Sequence, residues 1–238
     1  MIFKWEPFCI KNDIVQKDEE HFYDPDNLNS FAEDIFPDNS YVYINEQYDF
    51  FDNKFKEYTD EIWQLIKKRN KVLFYIFIDN INLIDLPKDW GAGYGNVVFV
   101  FRTNSIDLNS KIEKFDNIKS LNKILYINSL ECECQLSINV NSIQLIVAEG
   151  KDKLCDFKWA KDLKEYCNKN QISFIFRSIG DIFKFNDKIY KVSKEKQQQQ
   201  AKLANLDLIF KKRCIKVKYK ENCNRCNRIY ICRRNCKL

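Results

Sequence analysis

Histidine is almost missing from this chain: His21 is the single one in 238 residues. Serine–histidine or cysteine–histidine catalysis would depend on it alone, and a solvent-exposed histidine in an acidic segment is the expected reading. Glycine is scarce, at five residues. Neither G-x-G-x-x-G nor G-x-x-x-x-G-K-[ST] follows any predicted strand, so nucleotide binding by those phosphate-cradling loops is not expected. Long apolar runs are also lacking. The longest, Val72–Ile78, is far too short to span a bilayer. The start, MIFKWEPFCIKND, has no basic n-region and no apolar h-region, so no signal peptide is expected. These absences point to a soluble, cytoplasmic protein without a membrane partner. In a reducing compartment its ten cysteines read as ligands or buried thiols rather than disulfides.

Charge is present in quantity but unevenly spread. Residues 211–238 hold 11 Lys/Arg and one acid, Glu221, while residues 1–210 hold 28 Lys/Arg and 33 Asp/Glu. Within the latter, residues 1–40 carry 3 bases and 10 acids. An acidic head and a near-neutral body therefore carry a strongly basic tail. Such asymmetry suits a phosphate-bearing partner such as nucleic acid, or a tail folded back on the acidic head.

Three segments follow: an acidic N-terminal segment over 1–40, an α/β body over 41–207 and a Cys-rich tail over 208–238. In the body, Tyr41–Asn45, Val72–Ile78, Asn96–Phe101 and Lys123–Ile127 read as strands. Between them, Phe55, Tyr58, Ile62, Leu65 and Ile66 mark one helical face, capped near Asp52, and Leu108, Ile112 and Phe115 a shorter one. Cys132–Val140 is a candidate extra strand.

The densest stretch is 141–180, one strand–helix–strand unit. Ile143–Ala148 is a buried-strand run broken by Glu149-Gly150. Asp156 is placed to cap a helix with Trp159, Leu163, Tyr166 and Cys167 on its apolar face. Gln171–Arg177 is again β-rich, and Gly180 ends it. Parallel strands with a right-handed crossover are expected. Sites in such folds lie at the C-terminal strand ends, which makes Glu149 and Arg177 the candidate cofactor-binding residues; a surface ion pair between them is the plainer alternative. Beyond Gly180, Ile182–Phe185 and Lys188–Val192 alternate around Asn186-Asp187 as a hairpin, and Ser193–Leu206 reads as a helix. The alternation over 40–180 leaves a doubly wound open sheet or a partial (β/α) barrel.

Several stretches, in order, carry a family resemblance: Asp49-Phe50-Phe51; Leu86-Pro87-x-Asp89-Trp90-Gly91-x-Gly93-Tyr94-x-Asn96-Val97; Cys155-Asp156-Phe157-x-Trp159; the Lys188-Ile189-Tyr190 hairpin; and Gln200-Ala201. From Lys4 to about Asp207 the chain resembles the phage-associated three-Cys-motif domain of unknown function, related to radical-SAM barrels. The resemblance implies a partial (β/α) barrel holding a [4Fe–4S] cluster on three cysteines, the last two in a Gly-Cys-x-x-Cys-Tyr motif. Of the family's Trp-x-Pro-Trp opening this chain keeps Trp5 and Pro7, with Phe8 for the second Trp and Cys9 near the first ligand, but it has no further cysteine until Cys132. The Gly-Cys-x-x-Cys-Tyr segment is absent, and of the family's Gly-Gly-Glu-Ser-Gly only Glu149 remains. A cluster on three thiolates cannot form with one. The resemblance thus implies a degenerate member that kept the scaffold and lost the cluster.

In the tail, Cys223, Cys226, Cys232 and Cys236 form C-x2-C-x5-C-x3-C, with Cys214 in reserve. Knuckle spacing lets both sulfurs of a pair reach one ion, and four thiolates suit zinc; the same set could hold an iron–sulfur cluster. Arg225, Arg228, Tyr230, Arg233 and Arg234 interleave with these cysteines, a pattern fit for phosphate contact and base stacking. Three functions stand open at this level: a degenerate radical-SAM-like barrel acting as a partner or binding protein with a metal-bound tail, an iron–sulfur enzyme using tail cysteines, and a nucleic-acid-binding module.

Overall fold

The computed structural model describes residues 2–7, 21–22, 40–44, 48–106, 108–134, 136, 140 and 142–210, with backbone alone at 2–7, 21–22 and 40. The tail cysteines and Cys9 lie outside these residues. The described chain forms two compact units, one from residues up to 100 with 119–122, the other from 101–118 and 123 onward.

In the first unit, β3 (Ser40–Ile44) lies parallel to β4 (Leu73–Ile78), with Tyr43 opposite Tyr75. Strand β1 (Ile2–Pro7) runs antiparallel along the other side of β3, and β2 (His21–Phe22) pairs with β1. Two stretches of the acidic N-terminal segment are thus strands of this unit. Every residue of β4 is buried, as its unbroken apolar run requires of a parallel strand covered on both faces. Asp52 caps a 3-10 turn, Asn53–Phe55, accepting from Lys54 N at 3.1 Å, and the turn leads into α1 (Lys56–Lys68). Helix α1 buries Ile62, Trp63, Leu65 and Ile66. Trp63 joins the expected face, while Phe55 and Tyr58 are only half-buried.

No helix connects β4 to the next strand, β5 (Val97–Asn104). A 3-10 turn, Ile81–Leu83, and an aromatic plug stand in its place. Trp90 stacks on Phe99 (centroids 5.3 Å apart) and meets Trp63 edge-on at 5.4 Å. Its indole N–H donates to Lys119 O at 2.6 Å. Asn96 Nδ2 donates to Ile66 O and Arg69 O, satisfying carbonyls at the end of α1. The Asp49 carboxylate accepts from the backbone N–H groups of Phe51, Asp79 and Asn80. Asp49, Trp90 and Asn96 therefore have architectural work in this unit.

Strand β5 passes from the first unit into the second at Val100/Phe101. There α2 (Leu108–Asn117) buries Leu108, Ile112 and Phe115, as expected. Strands β6 (Lys123–Ser129), β7 (Leu145–Gly150) and β9 (Ser173–Ile179) lie parallel, side by side in chain order. The α/β reading holds, and β7 and β9 are adjacent and parallel. Their limits differ from the expectation, since each runs two residues further. Pairing continues at Glu149↔Ser178 and Gly150↔Ile179 because the backbone ladder does not need apolar side chains. Glu149 hence sits inside its strand rather than after it, and Arg177 lies two residues short of the end of its strand.

Helix α3 (Phe157–Lys169) starts at Asp156, whose carboxylate accepts from Lys158 N at 2.9 Å. Its buried face is Ala160, Leu163 and Cys167; Trp159 and Tyr166 are half-buried at its margins, which corrects the expected face. A short strand, β8 (Leu154–Asp156), was not expected. It pairs in parallel with β10 (Ile182–Phe185), which pairs antiparallel with β11 (Lys188–Lys191). Asn186 and Asp187 turn this hairpin with φ of +48° and +59°, the type I′ geometry that suits strand twist. Helix α4 (Lys194–Leu203) follows. The described part of Cys132–Val140 contains no strand, contrary to expectation. Among the described residues no helix is long and apolar enough to cross a membrane.

Candidate functional site

Strands β6, β7 and β9 end together in the second unit, and their side chains build the candidate site. Val147 sits opposite both Tyr126 and Ile175 in the ladders. The register then slips: Ala148 pairs with Phe176, but Glu149 pairs with Ser178. Arg177 is therefore the extra residue of a β-bulge. Bulges re-aim a side chain relative to regular pleating. Here the guanidinium reaches across β7 to β6, where Nη1 donates to the Tyr126 hydroxyl at 3.1 Å and Cζ lies 5.8 Å from the ring centroid. Arg177 Nε stands 4.0 Å from Glu149 Oε2. The side chains of Arg177 and Glu149 are 35% and 21% exposed, so both are sheltered yet reachable.

The segments that follow these strands are pinned around the site. Leu130 N donates to Glu149 O at 2.8 Å. Ser105 Oγ, just past β5, accepts from Glu131 N (3.0 Å) and Cys132 N (3.1 Å) and lies 3.1 Å from Cys132 Sγ. The Glu131 carboxylate pairs with the Lys153 ammonium. On the β9 side, Gln197 Nε2 donates to Asp181 Oδ1 (2.6 Å) and Val192 O (3.1 Å), and its Oε1 accepts from Ser178 Oγ (3.2 Å).

Burial pushes the Cys134 thiol up to about 12, helped by Cys132 and Glu133 nearby, and burial with Asp156 pushes Cys155 up to about 12. Cys167, on the buried face of α3, is raised by burial too. These are packed, protonated thiols at neutral pH. Among the described residues no three His, Cys, Asp or Glu side chains are grouped to hold a metal ion.

Of the candidates read from the sequence, Glu149 and Arg177 are brought together. Cys223, Cys226, Cys232 and Cys236 lie outside the described residues, as does Cys214. Tyr126 was missed; within the run from Lys123 to Ser129 nothing marks it as facing Arg177. Lys123 was missed as well. It is fully buried, with Nζ donating to Phe115 O (2.9 Å), Asp116 O (2.8 Å) and Ser142 Oγ (2.9 Å). That arrangement satisfies carbonyls at the C-terminal end of α2, so Lys123 is an architectural group. No protein-family model matches the chain, and no curated protein or solved structure matches it either.

Proposed function

We propose that the protein is a degenerate radical-SAM-like barrel of the three-Cys-motif kind that binds a small anion at its strand ends instead of building a cluster there. The observation that carries this reading is Arg177, aimed by a bulge at the C-terminal ends of parallel strands and steadied by Tyr126. A guanidinium offers a fork of donors that matches carboxylate or phosphate. Glu149, at the edge of ion-pair distance, orients that fork and would accept from a hydroxyl or amine on the same ligand. The parallel strands follow one another in chain order, β3 beside β4 in the first unit and β6, β7 and β9 in the second, which supports barrel-type winding.

The activity is binding rather than chemistry in this reading, and the tail adds a metal module. Four tail thiolates would hold zinc and supply the folding energy that so short a segment lacks. A calorimetric panel of phosphate, monocarboxylates and dicarboxylates tests the anion site. Saturable binding to wild type that Arg177→Gln loses is the expected result; equal binding by both proteins would overturn the proposal. The competing reading, an iron–sulfur enzyme drawing on tail cysteines, requires a brown protein after anaerobic reconstitution.

A further inference from the structure

The β10–β11 hairpin places aromatic rings where a small sheet would ordinarily hide them. Cross-strand pairs Phe183↔Tyr190 and Phe185↔Lys188 put these four side chains on one face. Phe157, from the first turn of α3, meets Phe185 edge-on at 5.1 Å and Phe183 at 6.3 Å, which fixes their rings. Yet Phe185 remains 40% and Tyr190 45% exposed. On the other face Lys184 is tied to Asp156 (3.3 Å) and Asp187 (3.4 Å). Asp187, the acid at the turn, is thereby engaged. Of the lysines in 182–196, Lys188 shares the ring face, while Lys184 and Lys191 stand on the opposite face of the hairpin.

We propose that this hairpin is a stacking platform for single-stranded nucleic acid, with Phe185 and Tyr190 as the stacking rings and Lys188 as a phosphate contact. Every base has a π-face, so exposed rings on a sheet bind unpaired bases with little sequence preference, while nearby lysines follow the backbone. The I′ turn and the Phe157 buttress hold the rings in place before binding, which lowers the ordering cost. A protein strand would instead add to the edge of β11, the outer strand of its sheet among the described residues, and would leave the ring face uncovered. Lys188, on the ring face beside Phe185, favours the polyanion. The platform and the basic tail are different stretches of the sequence, so each can be substituted on its own.

The test is fluorescence anisotropy of the full chain with a labelled oligothymidylate and with a duplex of equal length, at several salt concentrations. Preference for the single strand is expected. Phe185→Ala and Tyr190→Ala should each weaken it by about five- to a hundredfold, and Tyr190→Trp should preserve it. Lys188→Gln should lower the slope of log affinity against log salt by about 0.7. Equal affinity for duplex and single strand overturns the proposal. So does wild-type affinity in both alanine variants, or loss of binding only when Arg225, Arg228, Arg233 and Arg234 are replaced by Gln. If a ring variant misfolds by circular dichroism, Lys188→Gln still decides, since an unchanged salt slope overturns the proposal.

Discussion

Arg177 Nη1 donates to the Tyr126 hydroxyl at 3.1 Å although a whole strand, β7, runs between their backbones. The reach depends on the bulge at Ala148/Glu149, which frees Arg177 from regular pairing. Next to Glu149 the backbones pack closely, at Gly150.

A Cβ at Gly150 would lie 2.6 Å from Ile179 C and 2.8 Å from Cys155 Cβ, with the Ile179 carbonyl oxygen closer still. Gly150→Ala should destabilise the protein by about 1–3 kcal/mol, the usual cost of overpacking. Gly95→Ala, where nothing lies within 4 Å, should be nearly neutral. Urea unfolding midpoints of the two variants check this; equal midpoints would show that the β7 and β9 ends are not packed as described.

Lys123 predicts an alkaline effect. Burial lowers its ammonium to about 8 from the ordinary 10.5, with Asp116 pulling the other way. Between these values the unfolded chain keeps a proton that the folded chain has released. Unfolding then takes up a proton and becomes harder as pH rises. The contribution of Lys123 is thus least favourable below pH about 8 and improves towards 10.5, by up to about 3 kcal/mol. The stability difference between wild type and Lys123→Met, followed by urea unfolding across that window, should move in favour of wild type. A flat or falling difference would contradict the assignment.

The tail makes a chemical prediction. Elemental analysis of the full chain should find one zinc, which Cys223→Ser and Cys226→Ser together release. Thiolates must shed protons to bind, so affinity should fall as pH is lowered. Zinc retained in full by the double variant would remove the C-x2-C pair from the ligand set.

What the sequence made legible was local. The Asp156 cap is readable because donor and acceptor are two residues apart. The Asn186-Asp187 turn is readable because those residues tolerate positive φ. Strand β4 is readable from its own apolar run. What stayed hidden depends on partners far along the chain. Tyr126 meets Arg177 across 51 positions, and the bulge that aims Arg177 leaves no trace among flanking β-formers. Gln197 lies in a glutamine run that looks featureless, yet it ties Ser178, Asp181 and Val192 together. Lys123 stands at the head of an apolar strand, where only the end of α2 makes its burial tolerable.

The central claim, an anion site at Arg177, is tested most directly by calorimetric titration of the full chain with inorganic phosphate and with succinate, wild type beside Arg177→Gln. Charge-assisted hydrogen bonds contribute about 1.5–3 kcal/mol, so the variant should bind at least one of these anions roughly ten- to a hundredfold more weakly. Identical isotherms for the two proteins, or no saturable heat from wild type with either anion, would contradict the account.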